Sequence, residues 1–95
     1  MDWQSLITEA RARIAPHLRQ TPVARVRLGA HEPRLKFEQM QHTGSFKARG
    51  AFNTLIQFEV PEAGVVAASG GNHGAAVAHA ARALGHPARI YVPQI

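Results

Sequence analysis

The chain has 95 residues and carries 11 Lys and Arg against 6 Asp and Glu, a net charge of +5 with histidine neutral. Its apolar share is 45%, but seventeen residues are alanine, so few side chains are large enough to fill a core. Such a composition is too apolar for a disordered tail, allows one small domain at most, and contains no run near the ~18 residues a membrane helix needs. Cysteine is absent, which excludes a disulfide framework and a thiolate metal site, and no charged-then-apolar leader opens the chain. A cytoplasmic protein with no membrane partner is expected.

Asp2 is a candidate cap for a first helix in which Trp3, Leu6, Ile7, Ala10 and Ile14 recur at three- and four-residue spacing, with Pro16 ending or kinking it. Val23 to Leu28 and Arg34 to Met40 alternate apolar and polar residues around turn chemistry at Gly29 to Pro33, which predicts a hairpin. From Gly44 the period changes. Ala48, Ala51, Phe52, Leu55 and Ile56 form one helical stripe, with Thr43 or Ser45 as the N-cap and Pro61 as the stop. Gly64 to Ala68 reads as a buried strand, Ser69 to Gly74 as a glycine-rich loop, Ala75 to Leu84 as a helix, and Ala88 to Val92 as a second buried strand. Strand, loop, helix and strand in that order predict a parallel βαβ unit with a right-handed crossover.

The excess positive charge lies in the first 49 residues, but its arginines stand singly between apolar positions. A solvated face is the better reading than a nucleic-acid surface, which needs a dense cluster with interleaved aromatics. Diffuse positive potential still draws small phosphates and carboxylates.

Two places can carry chemistry. Lys47 sits in the opening turn of its helix, where unpaired N–H groups disfavour the ammonium form, and at the edge of an apolar stripe, where desolvation acts the same way. Both effects promote the neutral amine, the form that attacks carbonyls. The bland reading is a surface lysine. The second place is Ser69-Gly70-Gly71-Asn72-His73-Gly74, a strand-to-helix junction whose N–H groups suit an anion. It fits neither the dinucleotide nor the phosphate-loop pattern, and a tight structural turn explains its glycines equally well. His17, His31, His42, His79 and His86 are isolated, without the partners a metal site or a catalytic triad needs.

The run KFEQMQHTGSFKARGAFN at 36–53 resembles the Schiff-base lysine segment of threonine/serine dehydratases, in the fold-type II family of pyridoxal-phosphate enzymes. Ala68 to Gly74 is similar to that family's substrate and cofactor loop, and Thr21-Pro22 to its N-terminal mark. The resemblance spans essentially the whole chain. It implies an α/β fold, a partial tryptophan synthase β-like structure. An N-terminal helix and hairpin would precede a βαβ unit of a parallel sheet, with 1–50 belonging to a large domain and 51–95 to the start of a small one.

By that resemblance Lys47 holds pyridoxal 5'-phosphate, Phe46 packs beside its ring and Asn72 bonds its phenolic oxygen. Ser69, Gly70, Gly71, Asn72 and His73 line the substrate carboxylate site. The implied reaction is β-elimination of ammonia from L-threonine or L-serine, a small-molecule substrate, in a homo-oligomer that binds neither nucleic acid nor a metal within this stretch. Arg49-Gly50 favours the dehydratase and racemase branch, and Gly70 stands where serine racemases carry a serine for the opposite substrate face. Serine racemase, hydroxyaspartate ammonia-lyase and a non-catalytic fragment with weak anion binding are the alternatives. The family's glycine-rich phosphate loop and the residue facing its pyridine nitrogen have no counterpart before Ile95. An N-terminal fragment, inactive alone, is therefore expected.

Overall fold

The computed structural model describes every residue from Met1 to Ile95. Helix α1 (Trp3–Ile14) is capped by Asp2, whose Oδ1 accepts the Ser5 N–H at 3.2 Å. It ends before Pro16, and a single 3-10 turn at Ala15–His17 follows. The expected apolar stripe is not a buried one. Trp3 and Ile7 are each 65% exposed, and Ile14 alone among them reaches the core. The helix is joined to the rest at its C-terminal end, where Arg13 Nη1 donates to Asn53 Oδ1 at 2.6 Å.

The hairpin forms, but with shorter strands than the alternation predicts. β1 (Val23–Arg25) pairs antiparallel with β2 (Arg34–Lys36), Ala24 facing Leu35, and a lone bridge between Leu28 and His31 closes the turn at Gly29. Pairing stops after Phe37, whose N–H donates to Pro22 O, because Glu38–Met40 winds into a 3-10 turn. A second such turn at His42–Gly44 leads into α2 (Lys47–Gln57). That helix runs unbroken through residues 50 and 51 and buries Ala48, Ala51 and Phe52.

The βαβ unit is present. β3 (Val65–Ala68) and β4 (Ala88–Tyr91) pair in parallel, Val65 beside Ala88 and Ala68 beside Tyr91, with α3 (Asn72–Ala83) between them in sequence. The core joins Ile14, Ala51 and Phe52 to Ala76, Val77 and Ala80. Alanines at this contact let the backbones of α2 and α3 approach closely, and Phe52 fills the remaining space. The helix starts at Asn72, three residues before the predicted Ala75. Ser69 Oγ accepts the N–H groups of Gly71 at 3.3 Å and Gly74 at 3.0 Å, satisfying a first-turn donor that has no intrahelical partner. Gly74 sits where a Cβ would lie 2.9 Å from Ile90 Cγ2 and 3.0 Å from Ser69 O, so only glycine lets α3 settle this close to the sheet.

Replacing Gly74 by valine is therefore expected to cost about 1–3 kcal/mol or more, as overpacking does, despite valine's better helix propensity. An unchanged urea midpoint would contradict the packing assigned to this position. The surface supplies a second expectation. Only 11 of 95 residues are buried, while Trp3, Ile7, Val66 and Tyr91 stay open to water. Purified chain should bind a hydrophobic dye and unfold over a broad temperature range; a sharp transition at low protein concentration with no dye binding would count against it.

Candidate active site

The approach to Lys47 is set by backbone geometry. Thr43 (φ 62) and Gly44 (φ 80) both lie in the left-handed region, reversing the chain just before α2. The buried side chain of Gln41 holds this turn: its Oε1 accepts the N–H groups of Arg19 at 3.0 Å and His42 at 3.1 Å, and its Nε2 donates to Arg19 O at 2.9 Å. Phe46, not Thr43 or Ser45, occupies the N-cap position, and Ser45 Oγ accepts the Lys47 N–H at 3.3 Å. Lys47 is exposed instead of desolvated, because it stands at the edge of the stripe whose buried members are Ala48, Ala51 and Phe52. Its Nζ lies 5.3 Å from the centre of the Phe46 ring, within reach of a cation–π attraction.

Behind the lysine, Glu38 joins three segments. It accepts from Arg49 Nε and Nη2, both at 2.8 Å, and from Thr21 Oγ1 at 2.6 Å, with Lys36 Nζ at 3.8 Å. The Arg49 guanidinium foremost, then the Thr21 hydroxyl, hold the carboxyl at about 2, although burial opposes them. Charge-assisted bidentate bonds of this kind are the strong ones.

Lys47 and Phe46 border a cleft of about 610 Å³ between the start of α2 and the sheet, with Leu55, Val66, Val77 and His73 on its other sides. The structure thus brings His73 and the lysine segment to one cavity. Asn72, Ser69, Gly70 and Gly71 stand beyond its walls; Asn72 is exposed in the first turn of α3, and Ser69 serves as the cap described above. No atom lies within 4 Å of where a Gly71 Cβ would be, so the space over that backbone is open. Gly70 is different: a Cβ there would meet Pro93 Cδ at 2.9 Å. The N–H groups of Asn72 and His73, first in the helix, have no intrahelical acceptor and suit an anion.

Sequence reasoning set the histidines aside as isolated, and the fold gathers three of them. His17 stacks on Phe52 at 5.0 Å, His42 stacks on His79 at 4.5 Å, and Phe52 meets His79 edge-on at 5.8 Å. Burial first, then the neighbouring His79 and Arg19, lower the His42 pKa. This cluster fastens the lysine turn to α3. No three His, Asp or Glu side chains come together as metal ligands, and no helix is long and apolar enough to cross a membrane.

Because the folded carboxyl of Glu38 is depressed from 4.5 to about 2, its contribution is fully present above pH 4.5 and is lost as pH falls toward 2. Glu38→Gln should lower stability at pH 7 by about 1.5–3 kcal/mol, the range for hydrogen bonds to a charged group. The gap between variant and parent should close at pH 2; a gap independent of pH would remove the ion pair from the account.

A family model described as "Pyridoxal-phosphate dependent enzyme" matches residues 14–95. A rice serine racemase (Oryza sativa) is 44% identical over 94 residues, covering 93% of this chain and 28% of its own length. A catabolic L-threonine dehydratase of Staphylococcus aureus is 42% identical over 95 residues, with the same two shares. Among solved structures, maize serine racemase superposes with a TM-score of 0.86 at 40% identity, over 96% of this chain and 30% of that one. The chain thus spans about 28% of the length of these curated relatives.

Proposed function

We propose, from the premise that this chain belongs to the pyridoxal-phosphate-dependent enzyme family, that it carries the lysine and part of the substrate site of an L-threonine/L-serine ammonia-lyase. The fold is that of fold-type II enzymes of this family, and the cofactor of the family is pyridoxal 5'-phosphate. Two features of the structure fit that group. Lys47 and Phe46 face a cleft whose volume suits a small organic ligand, and the backbone at Gly71 is open to an approaching anion. When bound, the cofactor supplies an aldehyde carbon for amines and a ring that withdraws electrons from the substrate Cα.

The chain's own residues divide the remaining tasks. Lys47 would hold the cofactor through Nζ, and as a free amine the same atom would accept the proton from the substrate Cα. Phe46 would present an apolar face beside the ring, and the Asn72 amide, in the first turn of α3 next to His73, would donate to the ring's oxygen. The N–H groups of Asn72 and His73 hold the substrate carboxylate over Gly71. Ser69 Oγ accepts from two backbone N–H groups, so its own O–H remains available as a further donor. His73 lines the same cleft as Lys47.

Gly70 carries the choice of elimination over racemisation. A racemase needs a second proton donor on the opposite substrate face, and residue 70 offers no side chain there; a Cβ would press on Pro93. Likeness alone does not rank the two, since the rice racemase and the staphylococcal dehydratase are similar to this chain to the same degree. Racemisation of serine is accordingly the second reading.

In an enzyme containing this chain, Lys47→Ala should cut ammonia release from threonine by roughly 10²–10⁴-fold or more, as expected for loss of a general base that is also the anchor. Normal release by that variant would sink the assignment. Gly71→Val should raise KM, because a β-branched side chain fills the space over the N–H groups. Chiral analysis of the products from L-serine separates the readings: 2-oxo acid supports elimination, and D-serine in excess supports racemisation.

A further inference from the structure

Two rings that take up protons near neutral pH join the halves of the candidate site. His42 opens the turn at His42–Gly44 that delivers Lys47 to α2, and His79 lies on α3, the helix that carries His73 in its first turn. The turn packs directly against α3. Both rings are half-buried, and they stack at 4.5 Å with 24° between their planes. Uncharged, they attract as aromatic rings do; a proton on one disfavours a proton on the other.

A proton gained here finds no acid to answer it. The charged groups acting on His42 are His79 from α3 and Arg19 from the segment before β1, and both oppose its protonation. The 3-10 turn at Ala15–His17 adds the His17 ring, stacked on Phe52, and a main chain that alone favours the charged form. The turn at Glu38–Met40 brings one carboxylate, Glu38, which is already taken by Arg49 and Thr21. On α2 and α3 the other charged side chains are Lys47, Arg49 and Arg82, all cations, and the remaining histidine is His73 in the Lys47 cleft.

We propose that the stacked His42–His79 pair is a proton-sensitive clasp on the lysine turn, closed at neutral pH and opened by acid, which makes the two histidines positioning residues for Lys47. Burial lowers the pKa of His42 from its ordinary 6.5, so the opened turn binds a proton more readily than the closed one. The closed form is therefore fully favoured above pH 6.5 and loses ground as pH falls below it. The contact of α2 with α3 through Ala51, Phe52, Ala76 and Ala80 contains no ionisable group, so acid loosens the turn while the core stays joined. The clasp bears on catalysis only through the reading of Lys47 given above. Its test needs no cofactor, which separates its failure from the failure of that reading.

Amide hydrogen exchange of the whole chain, measured by mass spectrometry at about pH 7.5 and about pH 5.5 and corrected for intrinsic exchange, tests the clasp. Protection of the segment 42–49 should fall about threefold to tenfold at the lower pH, the range one histidine proton supplies over that interval, with little change in β3 and β4. His42→Phe keeps a flat ring against His79 without the proton site, and should remain protected at both pH values. His42→Gln, which loses the ring as well, should show the loosened segment at both. His31→Gln, at an exposed histidine outside the cluster, should retain the full fall. No fall in the parent, a fall that persists in both His42 variants, or a fall shared equally by β3 and β4 would overturn the proposal, the last result showing acid unfolding of the whole chain.

Discussion

The ion pair between Glu38 and Arg49 is the contact on which the rest of the arrangement depends. Glu38 follows the hairpin, Arg49 belongs to the first turn of α2, and Thr21 precedes the hairpin, so one carboxylate fastens the chain before the hairpin, the chain after it and the helix. Lys47 lies two residues before Arg49. Its position over the cleft is therefore inherited from a contact made by its neighbour. The same pull accounts for the short β2 strand, since Glu38 turns out of the sheet to meet its partners. Losing one member of a partly buried pair costs more than the pair contributes in isolation, because the other charge is left without a partner.

Small residues impose the second constraint. Ala76, Ala80 and Ala81 are fully buried, and Gly74 fits against Ile90, which places α3 close to both α2 and the sheet. That closeness brings His73 to the lysine cleft and leaves the backbone over Gly71 open. It also limits the core, because alanine buries little area, and the hydrophobic contribution follows area. The geometry needed at the site and the thin core thus have one origin.

Much of this was legible from local pattern. Asp2 marked the start of α1, the alternation around Gly29 marked the hairpin, and the order of elements after Gly64 marked a parallel βαβ unit. What periodicity could not show was contact between distant segments. Glu38 and Arg49 are eleven residues apart, and Thr21 is seventeen from Glu38, so their meeting depends on the fold. His17, His42 and His79 looked isolated for the same reason. The early start of α3 was concealed by composition: Gly70 and Gly71 read as loop, while the hydroxyl that caps the helix comes from Ser69 outside it. Apolar spacing in α1 identified a helix correctly but left its burial open, because spacing reports a face and not what covers it.

The central claim is that Lys47, placed at the head of α2 beside an open cleft, is the amine that takes the cofactor aldehyde. Only one other lysine, Lys36, competes with it, and that side chain is engaged with Thr21 O and Glu38. The direct measurement is borohydride reduction of the protein equilibrated with stoichiometric pyridoxal phosphate, followed by peptide mapping of the pyridoxyl label. The account predicts the label on Lys47, with little on Lys36 or the N-terminal amine. Label concentrated on Lys36, or spread evenly over all three amines, would contradict it.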